Sequence, residues 1–364
     1  MACSARRRSG RNDAAGPGRV KARLPARLLL VAIAVAILGV FPLVFSNPTD
    51  TSIAVFTLIY MVAASSWNMF SGYSGYIALG HAVYFGVGAY ALTLLANHLG
   101  FAAGWGVFAL VPVAGIIAGM VAIPTGLIAL RARRHTFVVI TIAFMFIFQL
   151  AASNFAFTGG TSGLQPPTPL WSAIAYNDHF YYVTAIVLVA TVVLSWLVAR
   201  SRFGLQLFSI RDDEERARGL GVRVARVKLT AFVLSAIPVG MVGGIYAYFL
   251  GQIFPQFAFD PLFDLSIALM AFIGGLGTVW GPLLGALVLE SLQQYFTVQS
   301  GASQVYLIIY GGLFLAVILL LPRGVIPSAE HLIERWRARG SVQDRDRDED
   351  AGRPADIVKA AGAR

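Results

Sequence analysis

The chain has 364 residues, of which 57% are hydrophobic and only 13% are charged. Soluble globular proteins carry about 25% charged residues, so this composition excludes an ordinary soluble domain. Several apolar runs reach the roughly 20 residues that a helix needs to cross the hydrocarbon core of a bilayer, which predicts an all-α polytopic membrane protein.

The formal net charge of +10 would fit a nucleic-acid partner, but the distribution of the cations argues against one. All 28 lysines and arginines fall in four segments, which are residues 1–27, 131–134, 200–228 and 323–364. This pattern obeys the positive-inside rule and predicts that the four segments, and with them both termini, are cytoplasmic. Four acids fall in predicted outer loops without Lys or Arg: Asp50, Asp178, Asp260 and Asp264.

The N-terminal segment, residues 1–27, is rich in Gly, Ala and Arg and predicts a disordered basic cytoplasmic tail. It would also fit the basic region of a signal peptide with residues 28–45 as the apolar core. No small-x-small cleavage site follows cleanly, which favours an uncleaved first span.

The membrane domain is predicted over residues 28–326, followed by a charged cytoplasmic tail over 327–364. Because neighbouring basic segments share one side of the membrane, an even number of crossings must separate them. We expect about ten spans, with about eight and eleven as the limits. The predicted spans are 28–46, 52–70, 81–98, 105–130, 135–155, 179–199, 229–250, 262–274, 280–298 and 304–321.

A first glycine-rich stretch, residues 67–90, interrupts the apolar pattern between two predicted spans. Non-helical backbone at membrane depth is tolerated only inside protein or beside a water-filled cavity, so the stretch is a candidate pore-lining or re-entrant segment. A cytoplasmic hairpin with tight helix packing explains the glycines equally well. The candidate residues are Asn68, Gly72, Gly75, Gly80 and His81. For His81, an interfacial or packing role is favoured over a ligand role.

A charged island, residues 201–228, separates two long apolar regions. Its acids at 212–215 precede Arg216 and Arg218, and glycines follow at 219 and 221. This order suits the dipole and the C-terminal stop of one short helix. We interpret the island as a cytoplasmic helix presented to a soluble partner; the alternative is a solvated loop that only fixes the topology.

A second glycine-rich stretch, residues 272–290, also interrupts the helical pattern and supplies the candidates Gly274, Gly275 and Gly277. It ends at Glu290, the only acid predicted within a span. A charge at the bilayer centre is costly, so Glu290 should face the bundle, a cavity or a partner, unless it lies near the outer headgroups.

Motifs of covalent chemistry are missing from the sequence. There is no Walker A pattern, no nucleophile elbow and no HExxH, and the one cysteine, Cys3, allows no intrachain disulfide. We therefore expect that the chain does not itself hydrolyse ATP or catalyse covalent chemistry, and that it has no catalytic residue, no cofactor and no metal site.

Four segments together resemble the permease subunits of branched-chain amino-acid ABC importers and their urea-importing relatives, above all the LivM type of the LivH/LivM family. The resemblance covers roughly residues 50–326 and also includes the ending Leu-Pro-Arg-Gly at 321–324. The segments are 68–90 (NMFSGYSGYIALGHAVYFGVGAY), 158–164 (TGGTSGL), 201–251 and 271–285 (AFIGGLGTVWGPLLG).

This resemblance implies a multi-pass protein of the inner (plasma) membrane that works with several other chains. They are two cytoplasmic ATP-binding subunits, a second homologous permease subunit or a copy of this chain, and an extracytoplasmic solute-binding protein. The ATPase-contacting (coupling) helix is placed at 210–221, although relatives often have alanines and an acid where this chain has Arg216 and Arg218. The implied coupling residues are Ile210, Arg211, Asp212, Asp213, Glu214, Gly219 and Gly221.

Three functions compete at this point. An ATP-driven importer of branched-chain amino acids leads, with urea or short amides as the alternative substrate. A stand-alone secondary transporter would need several intramembrane ionisable groups. A membrane-embedded enzyme would need His, Asp or Glu converging at one membrane face, and the outer acids are scattered.

Overall fold

The computed structural model describes residues 36, 38–45, 47–101, 103–299 and 311–312. Within them the regular structure is helical, and the β-type pairing is one isolated antiparallel bridge between Leu164 and Ile253. The chain up to Val44 is a unit of its own, helical over 38–44, and the chain from Phe45 onward is a second unit. The predicted all-α class is confirmed. The predicted tails lie outside the described residues, as do span 304–321 almost entirely and span 28–46 in its first half.

The second unit contains a series of helices, some of them short. They are α1 (Pro48–Trp67), extended by a π-helical turn (Asn68–Gly72), α2 (His81–His98), α3 (Trp105–Phe108), α4 (Val111–Ala129), α5 (Arg134–Asn154), α6 (Ala173–Arg200), α7 (Arg202–Asp212), α8 (Glu214–Gly219), α9 (Val224–Leu250), α10 (Pro255–Ala258), α11 (Pro261–Gly274) and α12 (Gly281–Gln299).

A short polar residue followed by proline begins two of these helices. Asn47 caps α1 by accepting a hydrogen bond from the Thr49 N–H (3.3 Å), and Asp260 caps α11 in the same way. Each cap satisfies an N–H that lacks an intrahelical partner, and the proline that follows has its φ already set for a helix.

Six segments of the described chain are long and apolar enough to cross a bilayer. Helices α2 and α12, with 18 and 19 residues, are not among the six but coincide with two further predicted spans. Every predicted span between residues 52 and 298 therefore has a helix at its position. The total of about ten spans, and the sides on which the termini lie, stay predictions. The six segments are Pro48–Gly72, Trp105–Ala129, Arg134–Asn154, Ile174–Arg200, Val224–Leu250 and Pro255–Gly274.

Helix α9 packs closely against α2 and α4 at the centre of the unit. A Cβ atom at Gly243 would collide with the carbonyl oxygen of Phe85, and one at Gly88 with that of Gly240. The missing side chains thus allow the two backbones to touch, as small residues do between membrane helices. Helices α2 and α9 therefore pack in direct backbone contact at this crossing.

The two described basic segments lie together at one end of the bundle. The guanidinium of Arg134 donates to the carbonyl oxygens of Ile210 (3.2 Å) and Arg211 (2.8 Å). At the other end, Asn97 donates to the carbonyl oxygen of Gln165 (3.0 Å). A single basic face is what the positive-inside pattern requires.

Candidate functional site

The charged island forms two helices rather than the one predicted over 210–221. Asp213 separates α7 from α8 because its backbone is extended (φ −155°, ψ 107°). Its carboxylate accepts from the N–H groups of Glu215 and Arg216, both at 3.0 Å, and so caps α8. Asp212 therefore lies in the last turn of α7, and the acid-then-base order belongs to α8 alone. Gly221, with φ of 89°, makes the left-handed turn just beyond α8.

Glu214 joins α8 to the membrane bundle. It accepts hydrogen bonds from the Tyr76 hydroxyl and from Lys228 (3.1 Å), and it pairs with Arg218 on its own helix (3.0 Å). The Lys228 side chain is only 4% exposed, and its ammonium lies 4.1 Å from the centre of the Tyr76 ring. A buried ammonium needs such a partner, so this contact fixes α8 against α9.

The electrostatics of this contact keep Glu214 ionised. Burial by itself would raise the pKa of the Glu214 carboxyl, but the hydrogen bonds from Tyr76 and Lys228 and the nearby positive charges hold that pKa below its usual value of 4.5. Burial and the hydrogen bond to Glu214 raise the pKa of Tyr76, so the phenol remains a donor.

Arg211, at the end of α7, anchors the island to the first glycine-rich stretch. Its guanidinium donates to the carbonyl oxygen of Gly72 (2.8 Å), at the end of the π-helical turn. It also fills the space beside Gly277, where a Cβ atom would collide with it. One arginine thus contacts both glycine-rich stretches.

Asn68 joins the same two stretches directly. Its amide nitrogen donates to the carbonyl oxygen of Thr278 (2.8 Å), and its amide oxygen accepts from the N–H of Gly277 (2.7 Å). Asn68 is almost fully buried, and the backbone of this turn supplies a hydrogen-bond partner for both its amide nitrogen and its amide oxygen. Asn68, Gly72, Gly75 and Gly277 thus cluster around Arg211.

Residues 75–80 are not helical, and side chains of the bundle satisfy their backbone. Trp67 donates to the carbonyl oxygen of Ala78 (2.6 Å), and Ser71 accepts from the Ala78 N–H (3.2 Å). The next N–H, that of Leu79, donates to Thr141 (3.1 Å). Irregular backbone enclosed by protein is the form that a membrane permits, which favours the re-entrant interpretation over a simple hairpin.

Asp264 is a buried residue in the first turn of α11, so its assignment to an outer loop was wrong. Its carboxylate accepts from the N–H groups of His81 (2.9 Å) and Ala82 (3.1 Å) and caps α2, a helix remote in sequence. It is 1% exposed and lies within the candidate span Pro255–Gly274. Glu290 is therefore not the only acid within a span. The sequence signals were the predicted span 262–274, which contains this position, and the apolar run in which Asp264 follows Pro261 by three residues.

His81 is a packing residue rather than an interfacial one. The ring is fully buried, lies edge-on to Tyr84 and Phe232, and is hydrogen-bonded through Nε2 to Ser235 (3.0 Å). The preceding Gly80 lies against the backbone of Thr141. These two candidates therefore belong to the Asp264 contact and not to the Arg211 cluster.

Glu290 faces the interior of the bundle from α12. Its side chain is fully buried, Oε1 accepts from Gln294 (2.8 Å), and Oε2 has no hydrogen-bond partner among the described residues. The neighbouring Ser291 hydroxyl lies 3.3 Å from that of Thr57 on α1. The sequence left open whether Glu290 faces the bundle or lies near the outer headgroups, and the structure places it in the bundle interior. Gly274 and Gly275 lie at the end of α11, where they touch the start of α12 rather than Glu290.

Comparison with known proteins agrees with this architecture. The family model described as "Branched-chain amino acid transport system / permease component" matches residues 51–318. The LivM permease protein of the high-affinity branched-chain amino acid transport system of Escherichia coli K12 is 28% identical over 83% of this chain and 75% of its own length. The corresponding Salmonella typhimurium protein is also 28% identical, over 85% and 76%.

A more distant relative is the autoinducer 2 import permease LsrC of Photorhabdus luminescens, which is 28% identical over only 34% of this chain and 37% of its own length. No solved structure matches. Because the family model covers well over half of the sequence, the chain belongs to the permease components of branched-chain amino acid transport systems and is a multi-pass membrane protein of the LivM type.

Proposed function

We propose that the chain is the permease subunit of an ATP-binding-cassette importer that moves branched-chain amino acids across the plasma membrane. The family match and the names of the LivM relatives support the substrate class. The observation that carries the mechanism is the pair of contacts, Glu214 with Tyr76 and Arg211 with Gly72, that tie the charged island to the first glycine-rich stretch.

The chemistry of the proposed importer requires other chains. Two cytoplasmic ATP-binding subunits would supply energy, a second permease subunit or a copy of this chain would complete the pathway, and an extracytoplasmic protein would deliver the solute. Helix α8 is the proposed docking element because its outer residues Glu215, Arg216 and Arg218 are exposed. The proposed coupling residues are Ile210, Arg211, Asp212, Asp213, Glu214, Gly219 and Gly221.

Coupling would follow the contacts described above. When the ATP-binding subunits close, they push on α8, and Glu214 transmits the displacement to Tyr76 and the start of α9. Arg211 transmits it to Gly72 and the turn at Gly277. The non-helical segment 75–80 and the turn at 275–280 then change position together and alter access to the pathway.

The proposed path for the solute follows the two glycine-rich stretches and α12. Backbone carbonyls and helix ends can meet the charges of an amino acid without charged side chains, as in other transporters. Among the described residues, Oε2 of Glu290 is a buried carboxylate oxygen without a hydrogen-bond partner, and we propose it as the acceptor for the ammonium group of the solute. The proposed path residues are Asn68, Gly72, Gly75, Gly274, Gly275, Gly277 and Glu290, whereas Gly80 and His81 pack at the start of α2 and support the path from behind.

The finding of Asp264 within a span does not strengthen the case for a secondary transporter. Both carboxylate oxygens of Asp264 accept from backbone N–H groups of α2, which gives this acid a structural task. Ion coupling needs several ionisable groups that can exchange a cation, and Glu290 is the other buried acid in a described span.

Uptake of radiolabelled leucine into proteoliposomes that hold the full chain with its partner subunits tests the proposal. We expect uptake to require enclosed ATP and the ATP-binding subunits, and to be inhibited by valine or isoleucine but not by urea. The double charge reversal Asp213→Lys/Glu214→Lys should abolish coupled ATPase activity. The reversal Arg202→Glu/Arg226→Glu, at exposed residues outside these contacts, serves as the control. Uptake without the ATP-binding subunits would contradict the proposal.

A further inference from the structure

A pocket of about 720 Å³ opens on the predicted cytoplasmic face, beside α8 but outside the path proposed for the solute. Its walls are the loop between α4 and α5, one side of α8 and the first turns of α9. This volume is typical of a site for a small molecule or a headgroup.

The pocket is strongly basic. Four arginines and one lysine line it, against the two acids Glu214 and Glu215. Of the cations, Arg134, Arg218 and Lys228 already hold carbonyl or carboxylate partners. The guanidinium groups of Arg131 and Arg133 form no ion pair or hydrogen bond with any described residue. Two guanidiniums at one pocket therefore remain available for an anion, and guanidinium is the group that binds a phosphate oxygen pair best.

One wall of the pocket is apolar and continues into the membrane surface. Leu127, Leu130 and Leu229 line the side toward the predicted bilayer. Leu127 is 50% exposed, and the exposed face of α4 continues through Ile123 and Ile128. The pocket thus joins a basic cytoplasmic end to an apolar helix face of the kind that acyl chains cover.

We propose that this pocket binds the headgroup of an anionic phospholipid of the inner leaflet, with the phosphodiester between Arg131 and Arg133 and the acyl chains along α4. A basic pocket between membrane helices on the cytoplasmic side is the arrangement that binds such headgroups. An acidic side chain of a partner protein would satisfy the arginines but leave the leucine wall uncovered. Because Glu214 and Arg218 line the same pocket, a bound lipid would contact α8 from its membrane side.

Native mass spectrometry of the full chain, purified in detergent and supplied with dioleoyl-phosphatidylglycerol or dioleoyl-phosphatidylcholine, tests this site. We expect wild-type protein to retain phosphatidylglycerol preferentially. The variant Arg131→Ala/Arg133→Ala should retain it about thirtyfold less, at about 1 kcal/mol for each arginine. The control Arg223→Ala/Arg226→Ala removes two exposed arginines of the same face that do not line the pocket, and it should behave as wild type.

The assignment would be overturned by any of four results with the purified chain, or by a fifth with its partner subunits. The four are equal retention of the two lipids by wild type, no loss in the pocket variant, an equal loss in the control, and displacement of phosphatidylglycerol by inorganic phosphate at millimolar concentration, which would indicate a site for a free anion. Displacement of the lipid by added ATP-binding subunits would assign the pocket to a protein partner instead. The test does not depend on which solute is transported.

Discussion

Asp264 caps a helix that lies 183 positions away in the sequence, and its removal should loosen the bundle locally. Asp264→Ala leaves two buried N–H groups of α2 without acceptors, which we expect to lower the free energy of unfolding by about 2–4 kcal/mol. Asp264→Asn keeps one acceptor oxygen and should have a smaller effect. Melting temperatures in detergent measure both.

Asp178→Ala is the matched control for this loss, because Asp178 lies at the start of α6, away from the α2 cap. If Asp264→Ala melts at the same temperature as Asp178→Ala, the cap is not important for stability. A partial rescue by Asn, in contrast, would identify the acceptor oxygen as the important group.

Glu214 should make the stability of the island depend on pH. Its folded-state pKa lies below 4.5, so its contribution is fully present above 4.5 and is lost as the pH falls through the folded value. Glu214→Gln leaves the buried Lys228 without a counter-charge, and we expect a loss of about 1–2 kcal/mol at pH 7, less than for a fully buried pair. The melting-temperature gap between wild type and Glu214→Gln should narrow below pH 4.5; a constant gap would contradict the assignment.

At the scale of elements, the crossing of α2 and α9 depends on the absence of side chains. Gly243→Ala places a methyl group against the carbonyl oxygen of Phe85, which cannot move without separating the helices. We expect this substitution to lower the free energy of unfolding by about 3 kcal/mol, which is at the upper end of the range for overpacked cores. Gly219→Ala, at a site with open space, is the control for the glycine-to-alanine change itself, and similar melting of the two variants would show that the helices can adjust.

The positions of the elements were predictable where apolar runs end at charged or polar residues, as for α5 between Arg134 and Asn154. The break at Asp213 was not foreseen. An aspartate within a run of acids can occupy a helix interior or a cap, and the extended backbone that decides between them depends on contacts of Glu214 with Tyr76 and Lys228, remote in sequence.

At the scale of the whole molecule, orientation is the property that the basic segments predict. In a Cys3→Ser background, a membrane-impermeant maleimide added to intact cells should not label Glu215→Cys on α8 until the cells are permeabilised. Ala103→Cys, in the predicted outer turn before α3, should be labelled at once, since both positions are exposed. Labelling in the reverse pattern would invert the topology and with it the docking site.

The membrane class and the helical pattern followed from composition, whereas the depth of individual polar groups did not. Asp264 and Asp260 are four residues apart, yet one is buried and caps α2 while the other caps its own helix. Such depth depends on which backbone groups another helix presents, and periodicity along one segment does not contain that information.

The double hydrogen bond of Asn68 to the 277–278 turn has a mechanical consequence. Arg211 also binds Gly72 beside it, so hydrogen bonds connect the end of α1, the end of α7 and the turn that precedes α12. A displacement imposed by the proposed ATP-binding subunits would then shift all three ends by the same distance. The cytoplasmic opening would then widen or narrow as a unit, and the conformational change that permits this motion must take place in other parts of the bundle.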